Sequence, residues 1–213
     1  LALMLAATSV SVSAQDAAKW PSKPVSVVRI NPPGGSSNEQ AYRLWAEKLT
    51  AGFGSPFVFD YKVGAGGIIG FGAVAKAAPD GYTYLAATPT FTVAPAFHPE
   101  LPFDVIKDFA PVSWMMTSQI VLIGGPGFPP TNFDEYIAYA RANPVKVLCA
   151  TAGCGAANHL SGELLHSEIK ATATFVRYKG GGPAIMFPDL LAGRVHVYPS
   201  AVENALPQIR AGK

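Results

Sequence analysis

The pattern of apolar and polar residues divides the chain into short strands that alternate with amphipathic helices. An apolar, mostly β-branched run at 25–30 precedes a segment at 38–51 whose apolar residues recur at helical spacing. The next strand is predicted at 57–61, followed by a glycine loop at 64–67, a short helix that ends at Ala78, and a third strand at 82–88. Strands that alternate with helices of this length predict a parallel sheet with both faces covered, and therefore an α/β fold.

The alternation is interrupted and then restarts in the second half. Residues 89–111 are rich in proline and predict irregular structure, and 116–123 is interpreted as a strand that crosses between two lobes. A helix is predicted at 133–142, with Thr131 as its N-cap and Asp134 as the capping-box partner. Strands follow at 145–151, 173–178 and 195–199, and each precedes a helix, at 156–169, 183–192 and 202–211. Pro188 is expected to kink or shorten the second of these three helices.

Two turns between a strand and a helix carry the candidate chemistry. The first contains Pro32-Pro33-Gly34-Gly35-Ser36, and the second extends from Thr151 to His159. Prolines fix φ, glycines allow the backbone to approach a ligand, and the first amides of the following helix favour negative charge. The interpretation is that both turns face one cleft and close on one solute. The predicted ligand-binding residues are Pro33, Gly34, Gly35, Ser36, Gly66, Gly67, Thr88, Thr90, Thr151, Gly153, Cys154, Gly155, Ala156, Asn158, His159 and Ser200.

Several of these residues also have a structural interpretation. Gly66 and Gly67 either approach the ligand or allow a helix to pack tightly on the sheet, and His159 bonds either the ligand or a backbone carbonyl. Thr88, Thr90 and Ser200 are hydroxyl donors at strand ends, and Lys179 is the cation near a strand end that could meet a carboxylate.

Two alternative chemistries are weaker. His159, Glu163 and His166 share one helical face, but their spacing is not that of a known metalloprotease helix, and no metal is expected. The glycines at 64, 66 and 70 resemble a dinucleotide loop whose third glycine is one residue late, which keeps open an exported α/β enzyme as an alternative. No nucleophile elbow is present, so neither catalysis nor a cofactor is predicted.

Composition and the chain ends point to an exported protein. Residues 1–14 are expected to be part of a signal peptide cleaved after Ala14, and 15–22 a linker. With 49% hydrophobic residues the chain can bury a large core, and a net charge of +2 gives no argument for nucleic-acid binding. No later apolar run is long enough to span a bilayer. Whether Cys149 and Cys154 pair is left open.

A series of motifs resembles the substrate-binding receptors of tripartite tricarboxylate transporters, the Bug-type family. The motifs occur in order along almost the whole chain. They include Trp20-Pro21-Ser22-Lys23-Pro24, Pro32-Pro33-Gly34-Gly35, Gly64-Ala65-Gly66-Gly67, Ala77-Ala78-Pro79-Asp80-Gly81-Tyr82-Thr83, Lys107-Asp108-Phe109-Ala110-Pro111, His159-Leu160-Ser161-Gly162-Glu163 and Ala205-Leu206-Pro207-Gln208-Ile209-Arg210-Ala211-Gly212.

The resemblance implies a two-lobed periplasmic-binding-protein fold of type II, here without its C-terminal part. Lobe 1 is expected at 23–114 and an incomplete lobe 2 at 115–213. It also implies a monomeric periplasmic receptor that binds a small carboxylate through backbone amides and water, and delivers it to membrane permease subunits. A sensory receptor is an alternative.

Two positions depart from the family pattern. Asn38 and Ser200 stand where the family commonly has acidic residues, so the solute is not inherited from any known member.

Overall fold

The strands of the protein form two separate sheets. A computed structural model describes residues 20–34, 38–179 and 181–212. The predicted signal peptide at 1–14 and most of the predicted linker lie outside these residues. Among the helices that the structure describes, none is long and apolar enough to cross a membrane.

The first sheet has three parallel strands in the order β2-β1-β3. They are β1 (Val25–Arg29), β2 (Phe57–Tyr61) and β3 (Thr83–Leu85). The helices of this half are α1 (Glu39–Phe53), α2 (Ile68–Ala75), which follows a 3-10 turn at Ala65–Gly67, and α3 (Pro89–Phe97).

Both faces of this sheet are buried. Val25 and Val27 pack with Tyr42 and Ala46 of α1, while Phe71 of α2 packs on the opposite side with Ile30 and Leu85. Each fully buried valine stabilises the fold by about 1.5–3 kcal/mol. The apolar run therefore forms a strand because both of its faces are covered.

The second sheet has four strands in the order β4-β7-β5-β6. They are β4 (Ile120–Gly124), β5 (Leu148–Thr151), β6 (Thr174–Arg177) and β7 (Val197–Ala201). β5, β6 and β7 are parallel, and β4 is antiparallel to β7. The helices are α4 (Phe133–Ala142), α5 (Ala157–Glu168), α6 (Pro183–Leu191) and α7 (Val202–Arg210). Residues of α4 and α5 pack with Cys149 and Val197, and those of α6 pack with Ala150 and Tyr198 on the other face.

The structure confirms most predicted elements and corrects several details. The segment 89–111 is not irregular throughout, because α3 occupies Pro89–Phe97. The third strand is shorter than predicted, and the N-cap of α4 is Asn132, not Thr131. Asn132 accepts a hydrogen bond from the Glu135 amide, and Glu135 in turn accepts one from the Thr131 amide. The capping pair is therefore displaced by one residue. Helix α6 extends past Pro188, which does not end it.

Candidate functional site

The turns of the first half lie at one edge of the first sheet. Because β1, β2 and β3 are parallel, the segments that follow them leave from the same edge. Pro33 and Gly34 follow β1 and are exposed, and the predicted site residues Gly35 and Ser36 lie outside the described residues. Gly66 and Gly67 follow β2, and Thr88 and Thr90 follow β3. The structure thus brings the described candidates of the first half to a common edge.

The glycines after β2 differ in their surroundings. A Cβ at Gly67 would lie 2.7 Å from Phe71 Cζ and 2.9 Å from Ile30 Cδ1, so this residue is required for packing. A Cβ at Gly70 would lie 2.8 Å from Ile30 Cγ2. Gly66 is exposed and its nearest neighbour is the His98 ring. Tight packing therefore accounts for Gly67 and for Gly70, the third glycine of the dinucleotide-like loop.

Thr88 is the N-cap residue of α3, yet its side chain makes no capping hydrogen bond. Its Oγ1 is buried and has no hydrogen-bond partner among the described residues. Thr90 is half-buried in the first turn of the same helix. Because a buried hydroxyl without a partner is costly, Thr88 Oγ1 is a candidate donor to a bound molecule.

A polar cluster supports the second turn, at the edge of the second sheet where β5 ends. Thr151 is fully buried, and its hydroxyl lies 3.3 Å from Asn158 Oδ1, which also accepts a hydrogen bond from the Ala152 amide at 3.3 Å. The Gly153 amide donates to Thr151 Oγ1 at 3.3 Å. These bonds hold the turn between β5 and α5. Ala156 is the N-cap of α5 and provides no side-chain cap.

Tyr198 connects Ser200 to this cluster. Burial raises the pKa of the Tyr198 phenol, and hydrogen bonds from Ser200 and Asn158 partly oppose this effect. Ser200 is itself buried and also donates to the Ala201 carbonyl at 3.2 Å. Tyr198 is therefore a polar neighbour of both Asn158 and Ser200, and the sequence analysis did not select it.

His159 is buried in the third position of α5. Its ring packs edge-on against Phe175, and Nδ1 has no hydrogen-bond partner in the described part of the chain. Nε2 lies 3.6 Å from a Glu163 carboxylate oxygen. Burial lowers the pKa of His159, the Glu163 charge raises it and Arg177 lowers it. A buried neutral imidazole with one unused nitrogen is a candidate ligand contact.

His166 has a structural role. Its Nδ1 lies 2.7 Å from the Gly162 carbonyl oxygen and its Nε2 lies 2.7 Å from the Tyr136 hydroxyl. Nδ1 therefore donates and Nε2 accepts, which leaves no free nitrogen for the metal interpretation of the 159, 163 and 166 face.

The two cysteines are both free and have opposite environments. Cys149 is buried in β5, and burial raises its pKa to about 12. Cys154 is exposed in the turn between Gly153 and Gly155. Cys154 is thus the thiol that reagents can reach at neutral pH.

Helix α3 connects the two edges. It begins at Thr88 on the first sheet, and a Cβ at Gly155 would lie 3.3 Å from its Phe97 ring and 3.4 Å from Val93. His98, at its C-terminus, is the neighbour of Gly66. The loop after β2 and the turn after β5 therefore both lie against the C-terminal part of α3. Lys179 is exposed.

Two cavities lie away from these turns. One of about 270 Å³ lies between β4, α6 and α7, and one of about 160 Å³ is lined by residues 125–129 and the segment around His196. Neither is lined by a predicted site residue.

The sequence analysis overlooked Arg29. Arg29 is 2% exposed, and its guanidinium contacts Glu39 and Tyr42 next to the first turn. A charged residue at the end of an apolar strand was the signal that could have identified it, because such a residue needs a partner when it is buried.

Comparison with known proteins identifies the family. The model of the tripartite tricarboxylate transporter family receptor matches residues 41–213. The chain belongs to this family. Protein BugT of Bordetella pertussis is 35% identical over 195 residues, which are 91% of this chain and 59% of BugT. The chain therefore spans less than two thirds of that relative.

Solved structures of similar proteins share the fold. Rpa4515 of R. palustris with adipate has a TM-score of 0.78 and 30% identity, over 91% of this chain and 64% of that one. MatC from Rhodopseudomonas palustris with bound malate has a TM-score of 0.78 and 29% identity, over 91% and 65%. The periplasmic binding protein BugD has a TM-score of 0.75 and 32% identity, over 91% and 64%. The chain has the two-lobed α/β fold of these binding proteins.

Proposed function

We propose that the chain is the larger part of a periplasmic receptor that binds a small carboxylate between two lobes, at 23–114 and 115–213. The observation that carries this proposal is the meeting of the turns from both sheets around α3. Two buried polar atoms that have no hydrogen-bond partner among the described residues, Thr88 Oγ1 and His159 Nδ1, belong to those turns. The relatives solved with adipate and malate support the same class of solute.

The binding chemistry relies on peptide amides and neutral donors. Helices α1, α3 and α5 begin after these turns, and the N-terminus of a helix favours negative charge. Several charge-assisted N–H bonds hold a carboxylate without a direct ion pair. The proposed solute contacts are the predicted site residues whose positions the structure describes, except Gly67, which is assigned to packing. Tyr198 is proposed to support Asn158 and Ser200.

Delivery follows from closure of the lobes. Solute docks on one edge, the other edge moves towards it, and the closed monomer is presented to membrane permease subunits. The proposed role is binding and not catalysis.

Cys154 provides a direct test. The chain would be treated with a maleimide at neutral pH, with and without adipate, malate and a panel of di- and tricarboxylates, amino acids and aromatic acids. Cys154 lies in the proposed site and Cys149 is buried, so a bound solute should slow labelling of Cys154 and raise Tm with concentration.

Cys154→Ser is the control for labelling. The amides of the same acids, which carry no carboxylate, are the controls for the ligands. A solute that binds should also raise the Tm of Cys154→Ser, and the maleimide should not label this variant. Unchanged labelling and an unchanged Tm across the whole panel would contradict the proposed function.

A further inference from the structure

Arg29 is a buried cation in a strand of valines. It is the last residue of β1, and its side chain is 3% exposed. The guanidinium carbon lies 3.8 Å from the centroid of the Tyr42 ring, 5.4 Å from Phe59 and 5.9 Å from Tyr61. Cation–π contacts of this kind are strongest when the cation is removed from water. The aromatic rings thus fix the plane and position of the guanidinium.

Glu39 is the partner of Arg29 and the first residue of α1. Its Oε2 lies 3.2 Å from Arg29 Nη2, and its side chain is 12% exposed. The Tyr61 hydroxyl donates to Oε1 at 3.0 Å, and Arg43 Nε donates to the same oxygen at 3.4 Å. The carboxylate therefore ties together the end of β1, the start of α1 and the end of β2.

The pair is not arranged for maximal stability. Glu39 Oε2 is close to Arg29 but makes no aligned hydrogen bond, and Arg29 Nη1 is also buried without a hydrogen bond among the described residues. Desolvation of two charges is costly, and replacement of a buried ion pair by apolar residues is often neutral or stabilising. A contribution to stability is therefore a poor explanation for the pair.

Its position offers another explanation. Arg29 and Glu39 flank the segment 30–38, of which the structure describes residues 30–34 and 38. An ion pair across the base of this segment fixes the distance between its ends and the direction of the first amides of α1. Binding groups must be held within a fraction of an ångström to act together.

We propose that Arg29 and Glu39 are positioning residues, which orient residues 30–34 after β1 and the first amides of α1 towards the solute. This inference rests on the proposed function for its link to affinity, but not for its effect on the turn. Neither side chain needs to contact the solute.

The test compares two double variants of the chain. Arg29→Met with Glu39→Gln removes both charges and leaves no buried charge alone. The control, Asp60→Asn with Lys62→Met, removes an ion pair of 3.0 Å at the end of β2, whose side chains are 43% and 38% exposed. Arg29→Lys is the conservative variant, since it retains the charge and loses the flat contact with Tyr42.

Three measurements separate positioning from stability. We expect the first double variant to keep its Tm within about 5 °C of the wild type. The amide of Tyr42, which donates to the Asn38 carbonyl, should exchange with solvent about tenfold faster. The affinity for adipate or malate should fall about tenfold, the size expected for one misaligned charge-assisted bond. Arg29→Lys should be intermediate, and the Asp60 and Lys62 control should match the wild type.

A fall in Tm with unchanged exchange and unchanged affinity would overturn the proposal and make the pair a stability element. If the wild type binds none of the acids, the proposed function fails. Exchange of the Tyr42 amide then decides the positioning role by itself, because it is measured without solute.

Discussion

At the residue scale, Gly155 tests whether α3 contacts the second turn. Its φ is +73°, and a side chain at this position would lie against Phe97 and Val93. Gly155→Ala should lose about 1–2 kcal/mol because of the left-handed backbone, and a smaller further amount because the Phe97 ring must shift to admit the methyl group. Urea denaturation measures the difference.

Gly193→Ala is the matched control. Its φ is +70°, but nothing lies within 4 Å of a Cβ there, so only the backbone cost applies. Adding Phe97→Ala to Gly155→Ala should remove the crowding. Equal losses at positions 155 and 193 would show that α3 does not contact the turn.

His159 predicts a pH dependence of stability. Burial lowers its pKa in the folded state, whereas an unfolded histidine titrates near pH 6.5, at about its ordinary value. The unfolded state therefore takes up a proton first as pH falls. The stability associated with neutral His159 is complete above about pH 6.5 and decreases from there down to the folded-state pKa.

The measurement is urea denaturation between pH 5 and 8, for the wild type and His159→Gln. In His159→Gln, the free energy of unfolding should no longer show the part of its pH dependence that comes from His159. Glu163→Gln should extend the decline to lower pH, because the Glu163 charge raises the pKa of His159. A wild-type slope that His159→Gln leaves intact would contradict the assignment.

Single residues were predictable from the sequence where local chemistry determines them, and not where a distant partner does. Gly153, Gly155 and the Thr151 hydroxyl follow from the turn itself. Gly67 is required by Phe71 and Ile30, and Arg29 depends on Glu39 and three aromatic rings. The burial of Arg29 depends on how α1 packs on β1, and the spacing of apolar residues in the sequence does not predict this packing.

At the scale of elements, the start of α4 separates two capping arrangements. The sequence pattern pairs Thr131 with Asp134, whereas the structure pairs Asn132 with the Glu135 amide at 3.0 Å. Asn132→Ala should therefore cost about 1 kcal/mol. Asp134→Ala is the control and should cost less, as measured by thermal or urea unfolding. A larger loss at Asp134 would favour the arrangement that the sequence predicted.

Helix α3 shows why one element was missed. Pro89 and Pro95 made the segment resemble a loop, but Pro89 occupies the first helical turn, where its missing amide has no cost. Buried Ala94 then packs in the cluster that contains Phe71 and Phe103. Tertiary packing thus stabilises a helix that local propensity disfavours. The other helices were predicted because the spacing of their apolar residues and the glycine or proline residues at their ends indicate the same boundaries.

At the scale of the whole molecule, the crossover between the sheets is anchored on both sides of Thr117. Met115 and Met116 pack against the core of the first half. Ser118 donates to the Glu203 carboxylate at 2.8 Å, and the Gln119 carbonyl accepts from the Val202 amide at 2.9 Å. If the lobes close as proposed, we expect the change in backbone dihedral angles to be concentrated at Thr117, the exposed residue between the two anchors.

Proline substitution tests this hinge. Because proline fixes φ, Thr117→Pro should reduce the decrease in radius of gyration that adipate or malate causes in small-angle scattering. Ser113→Pro is the control, since Ser113 is exposed and precedes the methionine anchors. It should leave the ligand-induced compaction as in the wild type. Equal compaction in Thr117→Pro would move the hinge elsewhere, while the protection of Cys154 would still report whether the solute binds. Binding and closure are therefore separable in one protein, because the thiol reports the site and the scattering reports the arrangement of the lobes.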